Sequence, residues 1–520
     1  MSSPVLDIVT IDANRRIQSL QRQLAARARI VDLGEDIMIL VFAHLDLGSK
    51  IAATHTCVYW RSLALAHPLL WATVQVRFTR PIQIGLNALV VRSSPAPVEL
   101  RLSVSDLNVY DIAACIQQHL LRVRRLSLIN PPGSANLCGS DAWDTIFNAL
   151  NGPAPIIEEL EVLRLGDATQ FSFLRVPRLN RRLFNGTAPM LQALILHDIR
   201  IDPECPLLSR MRRLGYAASY SIGGARIVLG LLTSCTNLED VYLEGPPDGV
   251  ALNTSDVANG TSWLPSLKQA VFANVHFPGI LGFLQHRNVR EMTVTDSEEL
   301  SHQKEIFFGI DTHSDDRLDD FSRVCVLPPS GERAWDFTPE CDIRMESPMG
   351  RTRTLASTRL SGLHSFPASL WDNITSLMFV EPLKRPFAPI PNMRRLESLT
   401  YVFRASRLSR FLDRMEPWYS GPVRWECPSL ACLTLAARKF TSKEYDWTAK
   451  PVTLDLRFVE TWFKYDVLCE VPKIIVHTPG FIVKGVEEMR AEAAWDVTVI
   501  HDTLEMPPSE YFGRAQFFSR

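Results

Sequence analysis

Leu160-Glu161-Val162-Leu163-Arg164-Leu165 is a short apolar segment of a kind that recurs along most of this 520-residue chain. Nine further segments show its Leu-x-x-Leu-x-Leu pattern or a degraded form of it: 123–128, 191–196, 211–216, 238–243, 267–272, 289–294, 374–379, 396–401 and 430–435. Their fourth positions lie 20 to 37 residues apart, except for one long interval between Met292 and Leu377. This spacing is typical of irregular leucine-rich repeats, each contributing one strand and one helix or loop.

The pattern predicts an α/β fold in which parallel strands stack into an irregular leucine-rich-repeat solenoid with a curved sheet. An ordinary α/β domain with apolar strands is the alternative. Strand alternation predicts that Leu163 and Leu165 are buried, while Val162 and Arg164 point to the opposite face.

The outward positions of these strands are the predicted substrate-binding residues. They combine basic, aromatic and aliphatic side chains, which suit a protein surface better than a small-molecule pocket. The predicted residues are Arg164, Ile195, Tyr242, Val271 and Thr293, with Arg164 and Tyr242 the strongest candidates. The rival location is the 296–372 segment.

A different pattern occupies residues 31–76, where apolar residues recur at helical spacing. Ile37, Leu40, Val41 and Leu45 form one stripe, which Met38 and Phe42 widen to more than half of the helix surface. A second helix, at about 49–66, carries Ile51, Cys57, Trp60 and Leu63, and Pro68 ends it. Short helices of this kind leave apolar surface for a partner.

This segment resembles the F-box. The family's opening Leu-Pro-x-Glu-Ile-Leu corresponds to Leu33-Gly34-Glu35-Asp36-Ile37-Met38, without the proline. Its Ile-Phe pair corresponds to Val41-Phe42, its Val-Cys-x-x-Trp to Thr56-Cys57-Val58-Tyr59-Trp60, and its Pro-x-Leu-Trp to Pro68-Leu69-Leu70-Trp71. Residues 91–102 also resemble the first strand after the F-box in a large fungal family, of basidiomycete type.

The resemblance implies a substrate-recognition subunit of a Skp, cullin and F-box type ubiquitin ligase. The F-box would bind the Skp-family adaptor, and through it the cullin and RING subunits, while the repeats bind an unknown protein substrate. The implied adaptor-binding residues are Leu33, Ile37, Val41, Phe42, Leu45, Ile51, Trp60 and Trp71. Such a chain is not an enzyme itself. The alternative is a non-degradative leucine-rich-repeat scaffold, for which Gly34 and Thr56 are the motivating departures.

The predicted domains are an N-terminal amphipathic helix at 1–30, the F-box at 31–76 and the repeat domain at 77–520. The Arg-rich, acid-poor segment 13–30 is interpreted as a short coil beside the F-box, with a mitochondrial presequence as the alternative. A loop-rich insertion is expected at about 296–372, with a strand near 306–310. Strands at 452–456, 473–477 and 497–500 are expected to cap the solenoid.

Composition narrows the remaining function classes. With 55 basic and 57 acidic side chains, the net charge of −2 argues against a nucleic-acid partner. The ten cysteines lack zinc spacing and are interpreted as reduced, buried thiols. No apolar run is long enough for a membrane span, so a cytoplasmic or nuclear location without a membrane partner is expected.

Two polar patterns remain. Asp311, His313 and Asp315 alternate as metal ligands could, but a solvated acidic loop is preferred, and no metal or other cofactor is predicted. The arginine pairs 124–125, 181–182, 212–213 and 394–395 fall at or near strand motifs. Arginine pairs along a rim could hold a phosphorylated or acidic substrate, although solvated turn positions are the usual explanation.

Overall fold

A computed structural model describes residues 33–76, 85–131, 138–165, 176–218, 224–245, 250–251, 264–273, 275–276, 289–295, 321–327, 340–359, 368–380, 393–404, 425–438, 452–457, 467–468, 473–477, 481–487, 490 and 496–501. Within these ranges the helices are α1 Glu35–Ala43, α2 Leu47–Thr54, α3 Val58–Ala66, α4 Gly85–Arg92, α5 Val109–His119, α6 Ser140–Ala149, α7 Gly224–Ser234 and α8 Ala368–Trp371. Short 3₁₀ turns include Pro68–Trp71 and Leu120–Arg122.

The strands are β1 Thr73–Val76, β2 Val98–Ser103, β3 Val123–Asn130, β4 Glu159–Arg164, β5 Ala193–His197, β6 Arg213–Ala217, β7 Asp240–Glu244, β8 Val250–Ala251, β9 Gln269–Ala273, β10 Val275–His276, β11 Glu291–Thr295, β12 Arg323–Leu327, β13 Glu340–Glu346, β14 Thr352–Arg359, β15 Ser376–Val380, β16 Ser398–Arg404, β17 Trp425–Glu426, β18 Cys432–Arg438, β19 Val452–Asp455, β20 Val467–Leu468, β21 Lys473–His477, β22 Phe481–Lys484 and β23 Val497–Ile500. The fold is therefore α/β, and its strand pairs are mostly parallel.

The chain divides into two compact units, Met1–Gly166 with Arg182–Met190, and Asp167–Arg181 with Leu191–Arg520. In the first unit, β1, β2, β3 and β4 pair in chain order and in parallel. Helices α4, α5 and α6 lie in the three connections between these strands, as parallel neighbours require a crossover. Helices α1–α3 belong to the same unit as these strands. The single helix predicted at about 49–66 is two helices, α2 and α3, and the helix predicted at 1–30 lies outside the described residues.

The inner face of this four-stranded sheet is marked by leucine and valine rows. Leu100, Leu126 and Leu160 are register partners, and so are Leu102, Leu128 and Val162, all of them buried. Leu163 of β4 is buried, as predicted, but Val162 and Arg164 are buried as well, so the predicted division of β4 into a buried and an outward face was wrong. Both faces of β4 are covered, as is common in parallel sheets.

In the second unit a longer sheet begins with β5, β6, β7, β9 and β11, which are parallel neighbours in that order. The sheet continues through β14, β13 and β12 to β15, β16, β18, β21 and β23. Among these described strands, only β13 runs antiparallel to its neighbours. Two-stranded parallel pairs form separately from β8 with β10, β17 with β20, and β19 with β22.

All ten predicted strand segments are confirmed, but most strands begin two residues later than their motifs. The first apolar residue of the motif lies in a tight turn that precedes the strand. In this turn Leu238 N donates to Cys235 O, and Leu396 N donates to Met393 O. The same i to i−3 bond recurs at 211, 267, 374 and 430, and both apolar residues of each turn are buried.

A second recurrent feature fixes where each strand starts. The backbone N–H groups of Glu239 and Asp240 both donate to Arg212 O, at 2.8 and 3.0 Å. Equivalent pairs of N–H groups share Gln192 O, Glu239 O, Ser322 O, Thr375 O and Glu397 O. We call the residue immediately before a strand, whose carbonyl accepts one or two N–H groups from the start of the neighbouring strand, the entry residue. The strands that begin with these bonds are thus aligned by the entry residue of the strand beside them.

The prediction of a loop-rich insertion at 296–372 was wrong for much of the described part. Strands β12, β13 and β14 lie within the long sheet, between β11 and β15. Charged residues obscured them, because the buried positions include Asp342 and Arg353, whose Nη1 donates to Val289 O at 3.0 Å. The strand expected at 306–310 lies outside the described residues.

The three C-terminal strands are confirmed at 452–455, 473–477 and 497–500. Two of them, β21 and β23, extend the long sheet, whereas β19 pairs with β22 in a separate parallel pair. Residues 91–102 contain β2, but β1 precedes it.

The entry turns are expected to contribute strongly to stability. Replacing the fully buried Leu396 by alanine should cost about 2–5 kcal/mol, because it removes buried methyl groups and leaves a cavity. Met349→Ala, at an exposed position between β13 and β14, should change stability by less than about 0.5 kcal/mol. Urea denaturation followed by circular dichroism measures both. Equal effects of the two changes would contradict the role of the turn.

Candidate protein-docking surface

Helices α1–α3 and the turn Pro68–Trp71 form a small core of their own. Met38 and Phe42 of α1 are buried, as are Leu63 and Ala64 of α3. The ring of Phe42 packs edge-on against Trp60, with centroids 5.6 Å apart and an angle of 73°. Below we call residues 33–71 the helical module.

Polar contacts hold the ends of these helices. Asp46 caps α2 by accepting a hydrogen bond from Ser49 N at 2.9 Å, and the bonds from Ser49 lower the pKa of Asp46. His67 Nε2 lies 3.0 Å from Glu35 Oε1, which joins the end of α3 to the start of α1. Trp71 Nε1 donates to Ala64 O at 2.8 Å. The module therefore has a defined arrangement, and ordered helices can present a surface.

One side of α1 is apolar and exposed to solvent. Ile37, Leu40 and Val41 are 50%, 61% and 46% exposed, and their spacing places them on the same helix side. Met38 and Phe42 occupy the other apolar side, which is buried. The wide apolar stripe that the sequence predicts on α1 is thus two separate stripes, of which one packs into the core and the other is exposed to solvent.

Further exposed apolar side chains lie on α3 and the turn that follows it. Val58 is 85% and Leu69 76% exposed, and Leu33, Tyr59 and Leu65 are also exposed. The contact between His67 and Glu35 holds the segment that carries Leu69 against the start of α1. Eight large apolar side chains are thus exposed on one small module, which makes the module a candidate docking surface.

The structure separates the predicted adaptor-binding residues into three groups. Leu33, Ile37 and Val41 are exposed, and Leu45, Ile51 and Trp60 are partly buried. Phe42 and Trp71 are 2% and 1% exposed, so they hold the module together and are not available to a partner in this arrangement. Phe42 faces inward because it lies on the buried side of α1, and Trp71 is fixed in the core by its hydrogen bond to Ala64 O.

Sequence reasoning did not select several of the exposed residues: Leu40, Val58, Tyr59, Leu65 and Leu69. The i+3 spacing of Leu40 from Ile37 was a usable signal for Leu40. For Val58 and Leu69 no such signal existed, since each lies at the first turn of a short helical segment whose limits the sequence does not fix.

The five predicted substrate-binding residues are not exposed. Ile195, Tyr242, Val271 and Thr293 do share one face of the long sheet, as predicted, but each is buried. Arg164 lies on the inner face of the first unit's sheet, in register with Asn130, and is also buried. The expectation of a solvent-facing row was wrong because the centres of these parallel strands are covered on both faces, as is common in parallel sheets.

The arginine pairs are largely engaged in ion pairs with neighbouring acids. Arg124 Nε lies 2.9 Å from Glu158 Oε2, and Arg181 Nη2 lies 2.5 Å from Glu204 Oε2. Arg212 and Lys268 both bond the carboxylate of Glu239. Arg395 Nη1 is 3.5 Å from Asn373 Oδ1. At least one arginine of each pair therefore binds an acid or amide that is distant in the chain.

Within the described ranges, no group of three or more His, Cys, Asp or Glu residues could hold a metal ion. Asp311, His313 and Asp315 lie outside those ranges. Burial raises the pKa of Cys115, Cys138 and Cys235 to about 12, so these thiols stay protonated at neutral pH. None of the described helices is both long and apolar enough to cross a membrane.

No known protein-family model matches this chain, and no curated protein matches it. The exposed apolar surface of the helical module is therefore the observation from which function can be argued.

The different roles of the two sides of α1 can be tested directly. Phe42→Ala should destabilise the helical module by about 3–5 kcal/mol, because it removes a buried ring. Leu40→Ala should change its stability by less than about 0.5 kcal/mol, because Leu40 is exposed. Amide hydrogen exchange across residues 35–66 should show lost protection only for Phe42→Ala. Lost protection in both variants would place Leu40 in the core.

Gly34, where the family pattern has proline, offers a second test. Its φ of −54° and ψ of 150° suit proline, and nothing lies within 4 Å of the position that a Cβ would take. Gly34→Pro should stabilise the helical module by about 0.4–1 kcal/mol by restricting the unfolded chain. Gly350→Pro should destabilise its turn, because Gly350 has a φ of +75°. Exchange protection measures both, and reduced protection after Gly34→Pro would contradict the first expectation.

Proposed function

We propose that the helical module is an F-box-like docking domain that binds a Skp-family adaptor, and that the chain is a non-catalytic substrate-recognition subunit of a ubiquitin ligase. The observation that carries this proposal is the exposed apolar side of α1, with Ile37, Leu40 and Val41. A partner that covered these side chains would remove apolar surface from water, which is the main source of favourable association energy.

The departures from the family pattern do not disturb the core of the helical module. Gly34 is exposed and precedes α1, and Thr56 is exposed in the link between α2 and α3. Thr56 Oγ1 donates to Ala52 O at 3.3 Å, so its hydroxyl is satisfied locally. Neither residue takes part in the contact between Phe42 and Trp60, so this core contact does not depend on them.

The remaining strands support the substrate-binding part of the proposal. Parallel neighbours follow the chain order from β5 to β11, and their entry turns repeat, as expected for a leucine-rich-repeat solenoid. The proposed role of this region is to bind a protein that the attached ligase then modifies, so the chain itself contributes proximity.

A scaffold that has lost its adaptor is the second candidate, and the missing proline at Gly34 is the observation that favours it. Such a protein would use the same repeats without a ligase. The two candidates differ in one measurable property, which is adaptor binding by the full chain.

Adaptor binding is expected to depend on the exposed side of α1. The double variant Ile37→Asp and Leu40→Asp should weaken binding of a purified Skp-family adaptor by at least about tenfold, because central apolar contacts carry most of the energy of an interface. Tyr110→Asp, at an exposed aromatic residue of α5 outside the helical module, is the matched control and should change binding by less than about twofold. Isothermal titration calorimetry measures both.

Failure of the unchanged chain to bind the adaptor would refute the ligase proposal and leave the scaffold. Binding that survives both aspartate substitutions would show that another surface contacts the adaptor. Hydrogen exchange across residues 35–66 confirms that the double variant remains folded.

A further inference from the structure

In the second unit, charged entry residues occupy neighbouring strands at one end of the long sheet. After the neutral Gln192, which precedes β5, the entry residues in chain order are Arg212, Glu239, Lys268 and Arg290, which precede β6, β7, β9 and β11. Successive backbone bonds connect them, including Glu239 N to Arg212 O and Lys268 N to Glu239 O. The row therefore consists of three cations and one carboxylate on adjacent strands.

Arg212 and Lys268 share the one acid of this row, Glu239. Glu239 accepts hydrogen bonds from Lys268 Nζ at 2.6 Å and from Arg212 Nε at 2.5 Å, and these bonds lower its pKa. A single carboxylate shared by two cations leaves a surplus of positive charge. The side chains of Arg212 and Lys268 are 53% and 64% exposed, and Arg290 is exposed on the next strand.

The surplus is confined to this part of the sheet. Along the later strands, the entry residues Ser322, Thr375, Glu397 and Ala431 carry no positive charge. Among the entry residues of the described strands of this sheet, the cations thus lie on neighbouring strands. Motif analysis had selected Arg212 as half of an arginine pair, but it did not select Lys268 or Arg290, because they become neighbours only when the strands align.

We propose that this entry row binds an anionic segment of the protein substrate, through carboxylate or phosphate groups. The proposal deepens the substrate-binding role above and rests on it. Parallel strands lie about 4.8 Å apart, so the row from Arg212 to Arg290 spans about 14 Å, the length of four or five residues of extended chain at about 3.3 Å each. Guanidinium and ammonium groups with donors left over suit carboxylate and phosphate oxygens.

Two probes of equal length distinguish the source of the negative charge. One is a fluorescently labelled nine-residue peptide with three phosphoserines, and the other carries glutamate at the same positions. Peptides with serine or glutamine there serve as uncharged controls. Fluorescence anisotropy with the full chain should show binding of at least one anionic probe, weakening as salt is raised because the contacts are exposed charges.

The variant with Lys268→Glu and Arg290→Glu should weaken binding of that probe by about tenfold or more, because attraction becomes repulsion at two adjacent positions. Lys473→Glu is the matched control, since Lys473 is an exposed lysine at the start of β21 in the same sheet. It should change affinity by less than about twofold. The proposal is overturned if neither anionic probe binds, if the uncharged peptides bind equally well, or if both variants lose affinity alike.

Adaptor binding by the same proteins is measured separately. Loss of peptide binding by the variant with Lys268→Glu and Arg290→Glu, with adaptor binding unchanged, supports the entry row and does not bear on the ligase role, because the helical module is untouched. Peptide binding by a chain that fails to bind the adaptor would support the entry row and refute the ligase role.

Discussion

The arrangement of the strands depends on one repeated interaction, in which a single entry carbonyl accepts two successive backbone N–H groups from the next strand. Arg212 O accepts from Glu239 and Asp240, and Thr375 O accepts from Glu397 and Ser398. Because these strands are positioned by the strand beside them, the same register is kept along the sheet although the connections between strands differ greatly in length. A buried apolar turn before the strand fixes the direction from which the chain arrives. A long connection between two strands costs little more free energy than a short one, because the entropy cost of closing a loop grows slowly with its length.

Aligned starts bring equivalent positions of successive strands into rows. One row, which includes Leu194, Leu214 and Val241, is buried, and the entry row outside it is charged. The same alignment therefore produces both the interior and the cationic stretch, without any dedicated binding loop. Docking to the proposed adaptor has a different physical basis. The helical module has its own core, around Phe42 and Trp60, so the exposed side of α1 can bind a partner without changing the strand register.

Burial explains where prediction from sequence succeeded and where it did not. The ten strand segments were found because Leu-x-x-Leu-x-Leu is a local signal, and their starts were misplaced because the first leucine belongs to a turn. Strands β12 to β14 were missed because Asp342 and Arg353 are charged and buried at once. For the docking surface, Ile37 and Val41 were predicted and are exposed, whereas Phe42 was predicted and is core. A helix with two apolar sides gives no local indication of which side faces its own protein.

The sequence by itself determined the α/β class, the positions of the repeated strands, and the helical character and apolar residues of the segment from Glu35 to Ala66. These follow from spacing within a few residues, where backbone geometry links pattern to structure directly. Tertiary structure alone decided which side of α1 is exposed, that both faces of β4 are covered, that both faces of the long sheet are covered at Tyr242 and Val271, and that Arg212, Lys268 and Arg290 form one row. Those properties depend on contacts between residues far apart in the chain, and local periodicity carries no information about such contacts.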